Sequence, residues 1–542
     1  MMGMKARRFT PVSAVSLDEL APADHFYRLL DRALDLSFVR DLVQGRYAAG
    51  GRPSVDPVVF FKLQLVMFFE GIRSERLLMR LVADRLSVRW YLGYNLDEPA
   101  PDHSSLTRIR TRYSLDVFRR FFETIVEQCQ QAGLVWGKEL YVDATHVLAD
   151  AALDSLTPRF AVEARAALQA HLAALFPAEA SQNASQGAPL TAATAPETAG
   201  AAAAPAFAPS PAQDVQDVQD VQDADATRPP EPRAPTPLAV DLAEPTREAL
   251  AHANAMRHDW FAEAGRQQRD AHGRYQRTAD VRISATDPDA TPLRLKGGGT
   301  HLGYQTHYVV DGGRRRIILG VLVAPGEVME NQPIRDLAWH VRFRFHLWPR
   351  QITGDTTYGT LENITALERE GIRAYVPLPD WERQRDYYGP RQFTYDPERD
   401  VYRCPQGQLL QRFRVEYTEE KVEYRADPAI CNVCPVKAQC TPSAHGRAVH
   451  RHFAEAYLDR VRAYHEGEPY AKAMRKRKVW VEPLFAEGKA WHHMRRFRLR
   501  RLWRVNTEAL LIAAGQNLKR LLQPRGWGRR PFPSGEAERS ST

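Results

Sequence analysis

The sequence predicts an α/β protein in which helices flank a mixed sheet, preceded by an all-α N-terminal region. Up to about residue 135, apolar residues recur at helical spacing, as in SVDPVVFFKLQLVMFFEG, where Ser54 and Pro57 suit a helix start. From Glu139 onward, β-rich runs alternate with helical segments. Four cysteines between residues 391 and 452 indicate a small Cys-rich insert.

Length and composition indicate a multidomain globular protein. The 542 residues suffice for two to four domains, and a hydrophobic fraction of 44% is ordinary. The N-terminal stretch lacks the apolar region of a secretory leader. The longest apolar run, PVVFFKLQLVMFF, is interrupted by Lys62 and is too short to cross a bilayer. We expect a cytoplasmic protein that does not bind membranes.

Positive charge is concentrated near the C-terminus. The formal net charge is +8, and twelve Lys and Arg residues lie between Lys472 and Arg504, opposed by Glu482 and Glu487. Such a stripe favours a polyphosphate partner, because neutralising phosphates releases counterions. Trp480, Trp491 and Trp503 interleave the cations, and aromatic faces stack on unpaired bases. The alternative to a polyphosphate partner is that these cations only form a solvated face of a helix.

The segment PDHSSLTRIRTRY is typical of a helix that follows a turn. Asp102 or Ser104 suits the N-cap position. A recognition helix of a helix-turn-helix unit would enter the major groove with polar and cationic side chains. Those predicted to contact DNA are His103, Ser105, Arg108, Arg110 and Arg112. An ordinary helical bundle with a basic exterior is the alternative.

The β-rich part of the chain predicts a mixed sheet with a large interruption. ELYVDATHV is followed by GYQTHYVVD and RRIILGVLVAP, which Asp311-Gly312-Gly313 separates as in a hairpin. RQITGDTTYG and IRAYVPLP then flank a helical segment. Residues 151–280 interrupt the sheet, and their part at about 178–240 is rich in Ala, Pro, Gln and Ser, which predicts disorder. Disorder is also predicted for the tail, 523–542.

Three acidic residues carry the chemical argument. Asp143 lies in an apolar run, Asp355 follows another, and Glu482 lies in the basic segment. Carboxylates are costly to bury unless they are paired or bind a metal. Two Asp and one Glu from distant parts of a chain suit two hard divalent cations, and such a site suits phosphodiester chemistry.

The cysteines form a second group of possible metal ligands. Cys431-x2-Cys434 and Cys440 offer three thiolates, and Cys404 offers a fourth. Four thiolates suit a structural Zn²⁺ in a reducing cytoplasm. His445 and His450 are substitute ligands, and the alternative is a Cys-rich insert without metal. Cys129 is assigned to the core.

The motifs PDHSSLTRIR, YVDATHV, LGYQTHYVVD, GDTTYGT, CPQG, CNVCPVKAQCT and VEPLFAEGK occur in this order. Together they resemble the DDE transposases of bacterial insertion sequences, in the subgroup with an N-terminal helical domain and a cysteine-bearing insert. The resemblance implies a ribonuclease H-like catalytic core, in which Asp143, Asp355 and Glu482 hold two Mg²⁺ ions, with Mn²⁺ as the alternative. The implied domains are 1–136 for DNA binding, 137–150 with 281–390 and 453–522 for catalysis, and 391–452 for the insert.

The resemblance also implies an activity and partners. Such an enzyme cuts DNA at the element ends and joins the 3′ ends to target DNA, as a homodimer or larger synaptic complex on double-stranded DNA. Related enzymes often carry Tyr-x2-Arg-x3-Glu-x6-Lys. Here Glu482 and Lys489 keep that pattern, whereas Lys478 and Arg475 stand at the Arg and Tyr positions. Arg475, Lys478 and Lys489 are thereby expected to contact DNA. The alternatives are a non-catalytic DNA-binding protein or decayed transposase, and a nuclease of the same fold.

Overall fold

The computed structural model describes five stretches of the chain, residues 16–47, 54–158, 282–295, 298–379 and 387–523. All of them belong to one compact unit. The segment expected to be disordered at 178–240, and all but Gln523 of the expected tail, lie outside these stretches. Within the stretches, no helix combines the length and the apolar character that crossing a membrane requires.

Helices make up the N-terminal region, as its apolar spacing predicts. They are α1 (Leu17–Leu20), α2 (Phe26–Ala33), α3 (Phe38–Val43), α4 (Pro57–Glu70), α5 (Glu75–Asp84), α6 (Leu86–Leu92) and α7 (His103–Gln131). Asp56, not Ser54, caps α4, because its carboxylate accepts a hydrogen bond from the Val58 amide at 2.7 Å. Since α4 is apolar around nearly its whole circumference, most of it is buried.

The main sheet is mixed. The strands of the chain's first half and centre are β1 (Glu139–Leu148), β2 (Leu156–Pro158), β3 (Arg282–Ser284), β4 (Thr291–Arg294), β5 (Thr300–Asp311), β6 (Ile318–Pro325), β7 (Gln351–Thr353) and β8 (Arg373–Tyr375). β5 is antiparallel to β1 along one edge and to β4 and β6 along the other. β7 and β8 extend the sheet from β1 in parallel, while β2 and β3 pair separately. The expected hairpin is confirmed as β5–β6.

A second, smaller sheet occupies most of the cysteine-bearing region. Along the chain, α8 (Ile334–Arg344) and α9 (Leu361–Arg369) come after β6 and before this small sheet. The small sheet contains β9 (Thr394–Asp396), β10 (Val401–Arg403), β11 (Leu409–Glu416), β12 (Lys421–Ala426) and β13 (Ala448–His452), with short helices α10 (Pro428–Asn432) and α11 (Lys437–Cys440). Its strands are antiparallel neighbours in the order β13-β12-β11-β10-β9. Tyr402, Leu410 and Tyr424 belong to its separate hydrophobic core.

The last described helices lie near the main sheet, and α15 packs against β6. They are α12 (Glu455–His465), α13 (Glu468–Trp480), α14 (Glu482–Trp491) and α15 (Leu502–Leu522). Asn506 and Asn517 of α15 pair with the backbones of Val323 and Ile318 on β6, through hydrogen bonds of 2.8–2.9 Å. The two amides satisfy backbone groups that an edge strand would otherwise expose.

The N-terminal helices share a core with the main sheet. One continuous cluster of buried apolar residues includes Phe61 of α4, Phe121 of α7, Tyr308 of β5 and Leu518 of α15. α15 joins the two regions, because it packs against α4 and α7 as well as β6.

Candidate active site

The register between β1 and β7 brings two acidic residues together. Tyr141 and Thr353 are the last partners of this parallel pair. Asp143 and Asp355 each lie two residues farther along the chain. Because parallel strands run in the same direction from that pair, both carboxylates reach the same place just past the C-terminal end of β7. Asp355 also caps the short turn that follows, by accepting a hydrogen bond from the Thr357 amide at 2.9 Å.

A third carboxylate completes the group. One oxygen of Asp143, one of Glu330 and one of Asp355 all lie within 4.8 Å of one another. Glu330 belongs to the loop between β6 and α8, and sequence reasoning missed it. Its signal in the sequence is no more than an acidic residue soon after an apolar strand, which many surface turns share.

The carboxylates are close enough to perturb one another. The pKa of Asp143 is raised to about 6: burial raises it most and the charges of Asp355 and Glu482 act in the same direction, against the Arg477 guanidinium and the Ala144 amide, which lower it. Burial, followed by repulsion from Asp355 and Asp143, raises the pKa of Glu330 to about 7. The group therefore carries more negative charge than its surroundings compensate.

Helix α14 places Glu482 beside this group. Glu482 lies in the first turn of α14 and is exposed, outside the set of oxygens within 4.8 Å. Seven residues later, Lys489 donates a hydrogen bond to Thr145 Oγ1 on β1 at 2.5 Å. Burial lowers the pKa of Lys489, and Arg495 lowers it further. Since Thr145 lies two residues after Asp143, α14 runs along the same side of β1.

The cation nearest the carboxylates is Arg477, which sequence reasoning did not select. An Arg477 guanidinium nitrogen lies 3.3 Å from Asp143 Oδ2. The expected Arg475 and Lys478 are exposed instead, and Arg475 pairs with Glu468 of its own helix at 2.6 Å. Each residue turns about 100° around a helix, so neighbours in sequence face different directions.

The residues expected to contact DNA on α7 lie in different environments. Asp102 caps α7 by accepting a hydrogen bond from the Ser104 amide at 2.8 Å, as predicted. Arg108 and Arg112 are exposed, whereas His103 and Ser105 are half-buried. Arg110 is only 2% exposed and forms an ion pair with Glu75. Its guanidinium is therefore not available to DNA.

The two histidines near Asp143 do not belong to the carboxylate group. His307 pairs with Ala144, the next residue, so its side chain lies on the other face of the sheet. Burial, with a smaller contribution from His146, lowers the pKa of His307 to about 3. His307 is therefore neutral at pH 7, as expected of a structural histidine.

The cysteines of the small sheet lie near one another without converging. Burial raises the pKa of Cys440; Arg447 opposes this, and Cys431, Cys404 and Cys434 raise it further. Among the described residues, the four sulfurs do not form a group with all ligand atoms within 4.8 Å. Among the same residues, two sets do meet this distance: the carboxylates of Asp143, Glu330 and Asp355, and the set Glu416, Glu423 and His450. Cys129 is fully buried in the main core, as predicted.

Two family matches agree with this geometry. Residues 15–112 match a family described as a transposase domain (DUF772), and residues 403–522 match a family described as a transposase DDE domain. The two matches support a DDE transposase of insertion-sequence type. The second match contains Glu482, whereas Asp143 and Asp355 precede it. Searches of curated proteins and of solved structures gave no match.

Proposed function

We propose that the transposase cuts DNA at the ends of its element and joins the freed 3′ ends to target DNA. Asp143, Asp355 and Glu482 are the proposed catalytic carboxylates. The convergence of Asp143 and Asp355 oxygens just past the C-terminal end of β7 carries the proposal, together with the DDE match that contains Glu482. Because two element ends are processed together, a homodimer or larger synaptic complex is part of the proposal.

We further propose that the main sheet is ribonuclease H-like. Three antiparallel strands, β6, β5 and β1, are followed by parallel β7 and β8, in the spatial order β6-β5-β1-β7-β8. Helices lie on both faces: Tyr308 of β5 stacks on Phe485 of α14, while the side chains of neighbouring Val309 and of Val341 on α8 meet over Gly320. This arrangement supports a scaffold that presents acidic residues at strand ends.

The carboxylate group suits divalent cations. Asp143 and Asp355 would hold Mg²⁺, or Mn²⁺, with Glu482 completing the set, because hard cations prefer carboxylate oxygens and relieve their repulsion. When bound, such ions supply charge stabilisation at the attacked phosphate and an activated oxygen nucleophile. Of the chain's own residues, Arg477 offsets part of the charge of Asp143, and Lys489 is held beside β1, where it would position a DNA phosphate.

Loss of the Glu482 charge tests the catalytic proposal. We expect Glu482→Gln to reduce strand cleavage and joining by about 10³-fold or more, since a ligand of the cations that stabilise the transition state is lost. Glu468→Gln is the matched control, because Glu468 is an exposed first-turn glutamate of the preceding helix. The measurement is Mg²⁺-dependent cutting and joining of element-end DNA, with binding followed separately.

The same assay separates the alternatives. A nuclease cuts but leaves the 3′ end unjoined, and a non-catalytic or decayed protein binds DNA without cutting in Mg²⁺. Normal cutting by Glu482→Gln would show that this residue is not catalytic.

The exposed face of α7 is the proposed duplex-binding surface, together with Arg475 and Lys478. We expect Arg108→Ala with Arg112→Ala to weaken binding and to reduce the slope of log K against log salt by about 0.9 per lost phosphate contact. Arg369→Ala, an exposed change at the end of α9, is the control. Titrations at several salt concentrations measure both quantities, and an unchanged slope excludes this surface.

The small sheet is a proposed zinc insert, with Cys404, Cys431, Cys434 and Cys440 as ligands. Three other thiols of this region are close enough to raise the pKa of Cys440, which supports the proposal. We expect elemental analysis to find about one zinc per chain. Cys431→Ser with Cys434→Ser should abolish binding, whereas Cys129→Ser should retain it. If elemental analysis finds no zinc in the wild-type protein, the proposal fails and the alternative, a Cys-rich insert without metal, stands.

A further inference from the structure

We propose that Glu330 is a further metal ligand, which holds one divalent cation together with Asp143 and Asp355. The inference rests on the proposed function and extends its site by a residue that neither the three-acid pattern nor the two family matches contain. Glu330 precedes α8, whereas Asp143 lies within β1 and Asp355 follows β7.

The distances suit a shared ion. Two oxygens on the same Mg²⁺ lie ~3–4 Å apart, because each bond is about 2.1 Å long. The three carboxylate oxygens already lie within 4.8 Å of one another. Small side-chain rotations therefore suffice to close the group around one ion.

Buried contacts hold the Glu330 loop against the Asp355 turn. Tyr358, which is 2% exposed, donates its hydroxyl to Glu330 Oε1 at 3.3 Å. Asn363 donates its side-chain amide to the Asn331 carbonyl at 3.0 Å and to the Tyr358 carbonyl at 3.4 Å. Because Asn363 is buried, it fixes both segments at once. Glu330 is thus positioned by the same contacts that position Asp355.

The charge around the group also indicates a cation. Among the described residues, Arg477 forms an ion pair with Asp143, and no Lys, Arg or His lies within 4.0 Å of a Glu330 or Asp355 oxygen. When all three carboxylates are ionised, as ligands of a cation would be, they and the one guanidinium leave a net charge of about −2. A divalent cation is the partner that this charge fits.

The other acidic group of the described residues is a useful contrast. Glu416 and Glu423 lie within 4.8 Å of each other and of His450, on the small sheet. There, Arg414 and Lys421 pair with Glu416, and Arg414 and Arg425 pair with Glu423. Side chains therefore already neutralise that group, and it needs no ion. The group containing Glu330 lacks such compensation.

Metal binding to the full-length protein tests the inference without relying on activity. Mn²⁺ titration followed by electron paramagnetic resonance should show at least a tenfold weaker affinity for Glu330→Gln. Glutamine keeps the shape and the oxygen that accepts from Tyr358, and circular dichroism checks its folding. Glu362→Gln, an exposed glutamate on α9, should bind Mn²⁺ as the wild type does.

Activity gives a second readout. Cleavage by Glu330→Gln should fall at low Mn²⁺ and recover as the Mn²⁺ concentration is raised, since a ligand is lost while the other carboxylates remain. A role confined to folding would instead lower the melting temperature without metal and would not respond to Mn²⁺.

The outcomes distinguish this inference from the proposed function. If Asp143→Asn and Asp355→Asn lose Mn²⁺ binding while Glu330→Gln binds normally, Glu330 is not a ligand and the proposed function stands. If the folded wild-type protein binds no Mn²⁺ and does not cut DNA, both fail. Weakened binding in all three variants, with Glu362→Gln unchanged, supports Glu330 as a ligand.

Discussion

Replacing Asp143 or Asp355 by asparagine is expected to reduce DNA cleavage and joining by about 10³-fold or more, while the fold is retained. Asparagine has nearly the same shape as aspartate but carries no charge. The site would lose a ligand of the proposed cations and the transition-state stabilisation that depends on it. Single-turnover cleavage in Mg²⁺ measures the loss, and Asp336→Asn, an exposed change on α8, is the control.

Stability provides a check that these losses do not come from misfolding. Because burial raises the pKa of Asp143 to about 6, its ionised form opposes folding at higher pH. The stability linked to its proton is complete below the ordinary pKa near 3.9 and is lost as the pH rises through about 6. Without metal, Asp143→Asn should therefore melt at or above the wild-type temperature at pH 8. Normal cutting by either folded variant contradicts the proposed site.

The position of the two aspartates could be predicted because it depends on strand pattern. Apolar runs around Asp143 and before Asp355 specify strands, and the parallel register puts the middle of β1 beside the end of β7. Glu330 could not be predicted in this way. Its loop is located by Tyr358 and Asn363, whose contacts with it cross about thirty positions of sequence.

Single-residue orientation accounts for the remaining differences. The basic segment around α13 was recognised as a cationic helix, yet Arg477 rather than Lys478 faces Asp143. One residue rotates the side chain by about 100°, and composition cannot show which direction faces the sheet. Arg110 differs for a related reason: it was grouped with exposed cations, but it lies on the side of α7 that packs on Glu75. The density of positive charge predicts a basic surface, but it does not show which Arg and Lys side chains belong to that surface.

Glu75→Gln is expected to lower the free energy of unfolding by about 3–5 kcal/mol, the range for breaking a buried ion pair. Glu75 Oε1 accepts hydrogen bonds from Arg110 and, at 3.1 Å, from Arg498. Burial acts to raise the pKa of Glu75, but the two guanidinium groups outweigh it and lower the pKa. Without the Glu75 charge, buried Arg110 would face Arg498 with Glu508 as its remaining acidic neighbour, and Glu75 is the larger of the two attractive contributions to the pKa of Arg110.

This ion-pair network also joins the two family-matched parts of the chain. Glu75 and Arg110 lie in residues 15–112, and Arg498 lies in residues 403–522, seven residues after α14 ends. Disrupting it should therefore loosen the attachment of the N-terminal helices to the segment that follows Glu482.

Chemical denaturation measures the loss of stability in Glu75→Gln, with Glu468→Gln as the control, because an exposed pair contributes about 0–1 kcal/mol. Glu75→Leu combined with Arg110→Met should recover part of the stability, since apolar residues of similar size often replace a buried pair without loss. A change below about 1 kcal/mol for Glu75→Gln would mean that water reaches Arg110 and that the network does not join the two parts.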